Sequence, residues 1–125
     1  MIDSKVYIAL SHLNAYELNS YRRYLDSPYF NVNESLITLF DIYVEFIKNP
    51  SQEELTKEAI WNILYPKKEY KDAKYRKVNS DLLKSFESFL AQKSFDDNKY
   101  LKNNLILEAV RKRKIEKLYL SLIHI

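Results

Sequence analysis

The 125-residue sequence has no glycine and no cysteine, only three prolines and two histidines, and no long apolar run. Each absence removes a class of function. Without glycine there is no phosphate-cradling loop, no dinucleotide fingerprint and no nucleophile elbow, because each needs a residue without a Cβ where the backbone turns sharply or approaches a ligand. The Asn-Gly and Asp-Gly hairpin turns go with it, which argues against a strand-rich fold. Without cysteine there are no disulfides, no thiol catalysis and no thiolate metal sites, a composition that fits a reducing compartment. The opening MIDSKVYIAL lacks a basic leader and a long apolar core. No stretch approaches the roughly 18 apolar residues of a membrane span. A soluble cytoplasmic protein that does not engage a membrane is the expectation. The histidines, His12 and His124, have no partner at helical spacing on their own helices, and a metal or acid–base site needs several groups to converge. No metal, cofactor or catalytic residue is therefore expected, and the chain reads as a non-enzyme.

What is present is 46% apolar and 30% charged, enough for one modest core and too apolar for disorder. The net charge of +3 is unevenly spread. Residues 1–65 carry five Lys/Arg against nine Asp/Glu, and residues 66–125 carry fifteen against eight, so the halves are −4 and +7. Such a split suits an acidic partner for the second half. Mixed-sign charge accompanies the lysines throughout, however, so helices with solvated Lys-rich faces also account for it.

Every segment with a clear period has the helical one. In DSKVYIALSHLN, Asp3 or Ser4 is the N-cap and Val6, Leu10 and Leu13 share a face. Asn14 and Glu17 have the spacing of a capping box for a second helix, buried along Leu18, Tyr21 and Leu25 and ended near Asp26 by Pro28. Asn33 caps a third, apolar nearly all round from Leu36 to Ile47 and hence central, which Asn49–Pro50 ends. Ser51 and Glu54 offer a further box, starting a short helix through Ile60 and Trp61 that Pro66 stops. After the polar KKEYKDAKY, a long helix begins near Asp72 with Tyr75, Val78, Leu82, Leu83, Phe86, Phe89 and Leu90 as its stripe. The last helix begins near Asp96 or Asp97 and carries Leu101, Leu105, Ala109, Val110, Leu118 and Leu122. The run Arg111–Lys114 falls inside that helix, where four consecutive cations fan around the axis and Lys112 pairs with Glu108 or Glu116. The expected fold is all-α, about six helices in an orthogonal or helical-hairpin bundle, with residues 1–119 as a single domain.

Two resemblances follow. The segments YRRYLDSPYFNVNESLITLF, LTKEAIWNILYP and YRKVNSDLLKSFESFLAQ, in this order, resemble an uncharacterised bacterial family of long, predominantly helical proteins, over about residues 5–119. That resemblance implies the N-terminal part of a longer α-helical array and no activity. Family members continue past this point, whereas LSLIHI looks like translated sequencing-adapter sequence, so residues 120–125 are expected to be a non-native or truncated end. The most specific element is Ser27–Asn31, in which Pro28 breaks a helix and Tyr29 and Phe30 plug the corner; this pair is the candidate protein-interaction site. More loosely, residues 56–90 resemble the helical pair of bacterial activator winged-helix domains. That likeness implies nucleic-acid contacts from Lys67, Lys68, Lys71, Lys74, Arg76, Lys77 and Lys84, although helical sequence replaces the wing. The main functional expectation is a non-enzymatic helical scaffold or interaction module. Its partner is another protein or the missing C-terminal helices, and nucleic-acid binding is the alternative.

Overall fold

The computed structural model describes residues 4–50 and 54–119. They form an all-α fold: α1 (Lys5–Ser11), α2 (Ala15–Asp26), α3 (Glu34–Lys48), α4 (Lys57–Leu64), α5 (Asp72–Asp97) and α6 (Lys99–Lys112), followed by a 3₁₀ turn at Glu116–Tyr119. Contacts divide the chain into two compact units, Met1–Phe89 and Leu90–Ile125.

Short polar side chains set the starts of α1–α4 by accepting from otherwise unpaired N–H groups. Ser4 Oγ accepts from Tyr7 N, so Ser4 caps α1, while Asp3 lies outside the described residues. Asn14 and Glu17 form both bonds of the expected capping box, at 2.8 and 3.1 Å. Asn33 caps α3. The α4 start differs from the expected Ser51–Glu54 box. Ser51 lies outside the described residues, Glu54 precedes the helix, and Thr56 is the cap, accepting from Ala59 N.

α3 touches α1, α2 and α4, as its nearly all-round apolar surface requires. Leu10, Tyr21, Leu25, Leu39, Tyr43, Ile60 and Leu82 are fully buried. The Tyr21 ring meets Phe40, Phe86 and Phe89 at centroid distances of 5.3, 5.4 and 5.0 Å, and its hydroxyl donates to the Leu82 carbonyl at 3.2 Å. A half-buried polar chain joins three helices. Ser4 Oγ donates to Tyr43 Oη at 3.3 Å, Tyr43 Oη donates to Asn79 Oδ1, and Asn79 Nδ2 donates to the Tyr75 carbonyl at 3.0 Å. Both tyrosine hydroxyls are thereby satisfied inside an apolar core.

In the second unit α5 runs on to Asp97 and Asn98 caps α6, accepting from Leu101 N at 3.0 Å, so the last helix begins later than Asp96 or Asp97. Of the expected stripe Val110 is buried, but Leu101, Leu105, Ala109 and Leu118 are exposed, and Leu107, outside that stripe, is buried; Leu90, at the end of the α5 stripe, is exposed as well. The basic run does not lie within one helix. Arg113 is the C-cap of α6 and Lys114 takes the left-handed conformation, φ 58°. Ile115 N donates to Val110 O at 3.2 Å and Lys114 N to Arg111 O at 3.1 Å, the paired bonds of a Schellman termination. That position favours glycine, and lysine occupies it in this glycine-free chain. The Lys112–Glu108 pair is present at 3.5 Å. Residues 120–125, and with them Leu122, lie outside the described residues.

Candidate functional site

Three surfaces of the first unit present chemistry that its folding does not use up. The first is the corner between α2 and α3. Phe30 N and Asn31 N both donate to the Ser27 carbonyl, at 3.0 and 2.9 Å. Asn31 Nδ2 donates to the carbonyls of Leu25 and Asn33, at 3.0 and 3.1 Å, and Asn33 N donates to Asn31 Oδ1 at 3.1 Å. This network fixes the backbone locally. Phe30 stacks on Tyr24 with centroids 4.4 Å apart, but Tyr29 is 89% and Val32 86% exposed. Tyr29 therefore does not plug the corner. It projects from it, meeting Phe30 edge-on at a centroid distance of 5.2 Å, while Phe30 itself takes the place on Tyr24.

The second surface is the turn from α4 to α5. Lys68 N donates to the Tyr65 carbonyl at 3.3 Å, with Pro66 second in the turn and Lys67 at φ 65° third, the arrangement of a type II turn. Trp61 is 2% exposed and its indole Nε1 donates to the Lys68 carbonyl at 2.9 Å, which pins the turn. The rings of Tyr65 and Tyr70 pack on Trp61. A cavity of about 390 Å³ opens here, lined by Trp61, Lys68, Glu69, Lys71 and Lys74. Lys74 Nζ stands over the Tyr65 ring at 4.1 Å. The sequence-nominated cations do not act as one set. Arg76 pairs with Asp72 and Lys77 with Asp81 on their own helix, at 2.8 and 3.0 Å. At ~100° per residue Arg76 also stands well round the helix from Lys77 and Lys84. Lys67, Lys68, Lys71, Lys74 and Lys84 make no ion pair among the described residues.

The third surface is a groove between α3 and α4, with a cavity of about 530 Å³ lined by Thr38, Asp41, Ile42, Glu45, Phe46, Asn49, Leu55 and Ile63. Its floor is apolar and Ile63 stands 55% exposed. Its charged lining residues are both carboxylates. Arg22 holds Asp41 in two-point contact, Nε to Oδ1 at 2.8 Å and Nη2 to Oδ2 at 3.1 Å, while also pairing with Asp26. Glu45 accepts from Asn49 Nδ2 at 2.9 Å. A helical interaction module implies apolar grooves between its helices, but the place and lining of this one were not located from sequence. The available signal was α4 itself, whose Ile60, Trp61, Ile63 and Leu64 cover more of a two-turn helix than one core contact buries.

Among the described residues no three His, Cys, Asp or Glu side chains stand together as a metal site, and no helix is long and apolar enough to cross a membrane. His12 is exposed. Burial raises the Tyr21 and Tyr43 hydroxyls well above the ordinary tyrosine value. Tyr70 is pushed up to about 12, first by burial and then by its hydrogen bond to Asp72. All three shifts move away from neutrality, opposite to what general acid–base work at neutral pH needs. No family model, curated protein or solved structure matches the chain.

Proposed function

We propose that this chain is a non-enzymatic helical module that binds another protein, and that the α3–α4 groove is its receiving surface. The observation supporting this reading is the open apolar floor of Ile42, Phe46, Leu55 and Ile63 between two helices held by a common core. Grooves of this kind receive the apolar face of a helix. Tyr29 and Val32 add a second exposed apolar feature on a hydrogen-bonded backbone, the kind of rigid aromatic anchor that interfaces favour. A library of displayed helical peptides selected against the folded protein tests the reading. Enriched peptides that lose binding to Ile63→Glu are the expected outcome. No enrichment, or enrichment insensitive to that substitution, contradicts it.

A second reading, nucleic-acid binding, draws its support from the unpaired lysines at the α4–α5 turn. With helix where a wing would stand, those contacts are to phosphate and not to base edges. Binding of this kind weakens steeply with salt, so a labelled duplex and a labelled single strand titrated between low and physiological salt test it directly. The Lys68→Glu/Lys71→Glu variant should abolish that binding and the Arg76→Ala variant should barely alter it. Salt-independent or absent binding rules the reading out.

A further inference from the structure

We infer that the occupant of the α3–α4 groove is an amphipathic helix of a partner protein with a Lys/Arg flank, an assignment that rests on the protein-binding reading above. The length of the groove sets the length of the guest. Its α3 wall runs from Thr38 to Asn49, three turns of helix or ~16 Å at 1.5 Å per residue. A guest helix of about three turns spans it, with apolar anchors at i, i+4 and i+7 facing Ile42, Phe46, Leu55 and Ile63.

The charge of the wall sets the sign of the flank. Glu34, Thr38, Asp41, Glu45 and Asn49 recur at intervals of four, three, four and four residues, so they share one edge of α3. Carboxylates hold three of those places and lysine or arginine none. Only Asp41 is answered by a guanidinium, and Arg22 divides itself between Asp41 and Asp26, leaving that trio net negative. Glu34 and Glu45 are exposed with no ion pair among the described residues. Lys48 and Lys57, on the same two helices, do not line the groove, and neither does Glu34, which stands on the same edge one turn beyond it, so the charged residues that line the groove are Asp41 and Glu45. A guest whose flank is cationic is attracted to Glu45 and the net-negative Asp41 cluster, and an anionic one is repelled, so charge supplies the selectivity and the apolar floor supplies the contact.

Three peptides with an identical Leu/Phe face and lysine, glutamine or glutamate on the remaining positions test the assignment, titrated by calorimetry at low salt against the intact chain. The lysine peptide is expected to bind about fivefold more tightly than the glutamine peptide, the glutamate peptide more weakly still, and the difference to shrink at 0.5 M salt. Ile63→Glu should abolish binding of the glutamine peptide. Glu34→Lys/Glu45→Lys, both solvent-facing substitutions, should invert the order of the charged peptides. If all three bind equally to the wild type, the charge assignment is overturned while the groove remains a helix receptor. If none binds, the groove reading falls with it. If Ile63→Glu dissolves a dimer of the unliganded protein, the occupant is a second copy and the assignment is wrong.

Discussion

Tyr43 and Asn79 show how single residues determine this core. Tyr43 is fully buried, and its hydroxyl is tolerated there because Asn79 Oδ1 accepts its hydrogen bond and Ser4 donates to its oxygen. Asn79→Ala should cost about 1–3 kcal/mol, the usual penalty for leaving a buried hydroxyl unpaired. In a Tyr43→Phe background the same substitution should cost less, because no hydroxyl is left to orphan; a double-mutant cycle in urea measures the difference. Additive costs would show that the two residues act separately. The tyrosines also set an alkaline limit. Their folded pKa values lie above the unfolded 10.0, so between pH 10 and the folded value the unfolded chain releases protons that the folded chain keeps. Stability should therefore be level up to about pH 10 and fall as pH rises through 12. The Tyr70→Phe variant should fall less steeply. An unchanged slope in equilibrium unfolding at pH 9, 10 and 11 would contradict the assignment.

At the scale of helices, the caps of α1–α3 and the ends marked by Pro28, Pro50 and Pro66 were legible, whereas the starts of α4 and α6 and the end of α6 were not. Ser4, Asn14 and Asn33 announce themselves because a short polar side chain ahead of an apolar period has one efficient use. Helix ends usually announce themselves by glycine, and this chain has none. The Schellman turn at Lys114 therefore looks in sequence like uninterrupted helix, and a basic run that seemed to fan around one axis instead crosses a reversal. The stripe through Leu101, Leu105, Ala109 and Val110 has Val110 as its one buried member in α6 and misses Leu107, the other buried residue of that helix. Lys114→Gly relieves a left-handed conformation that costs a non-glycine residue about 1–2 kcal/mol, against a smaller entropic penalty. It should stabilise the end of α6 by roughly 0.5–1 kcal/mol, seen as slower amide exchange at Lys112–Ile115. Faster exchange would mean that the lysine side chain contributes something glycine cannot.

For the molecule as a whole, the fold class and most of the core could be read from periodicity, since a stripe such as Leu18, Tyr21 and Leu25 has only one way to be buried. Candidate surfaces were harder. The charge runs and their i,i+4 compensation are both readable in sequence: Asp72 and Asp81 stand four residues from Arg76 and Lys77, as Glu108 does from Lys112, and this spacing separates those two cations from Lys68 and Lys71. The groove was hidden because it is formed by the outward sides of two helices whose inward sides explain their apolar content. Three surfaces therefore lie on one unit: a projecting aromatic corner, an unpaired basic turn and an acid-edged apolar groove. The most direct measurement of which one serves is amide chemical-shift mapping of the folded chain with the lysine-flanked peptide. The account predicts shifts confined to Thr38, Glu45, Asn49, Leu55 and Ile63 and their neighbours. Shifts centred on Lys67–Lys74, or none at saturating peptide, would contradict it.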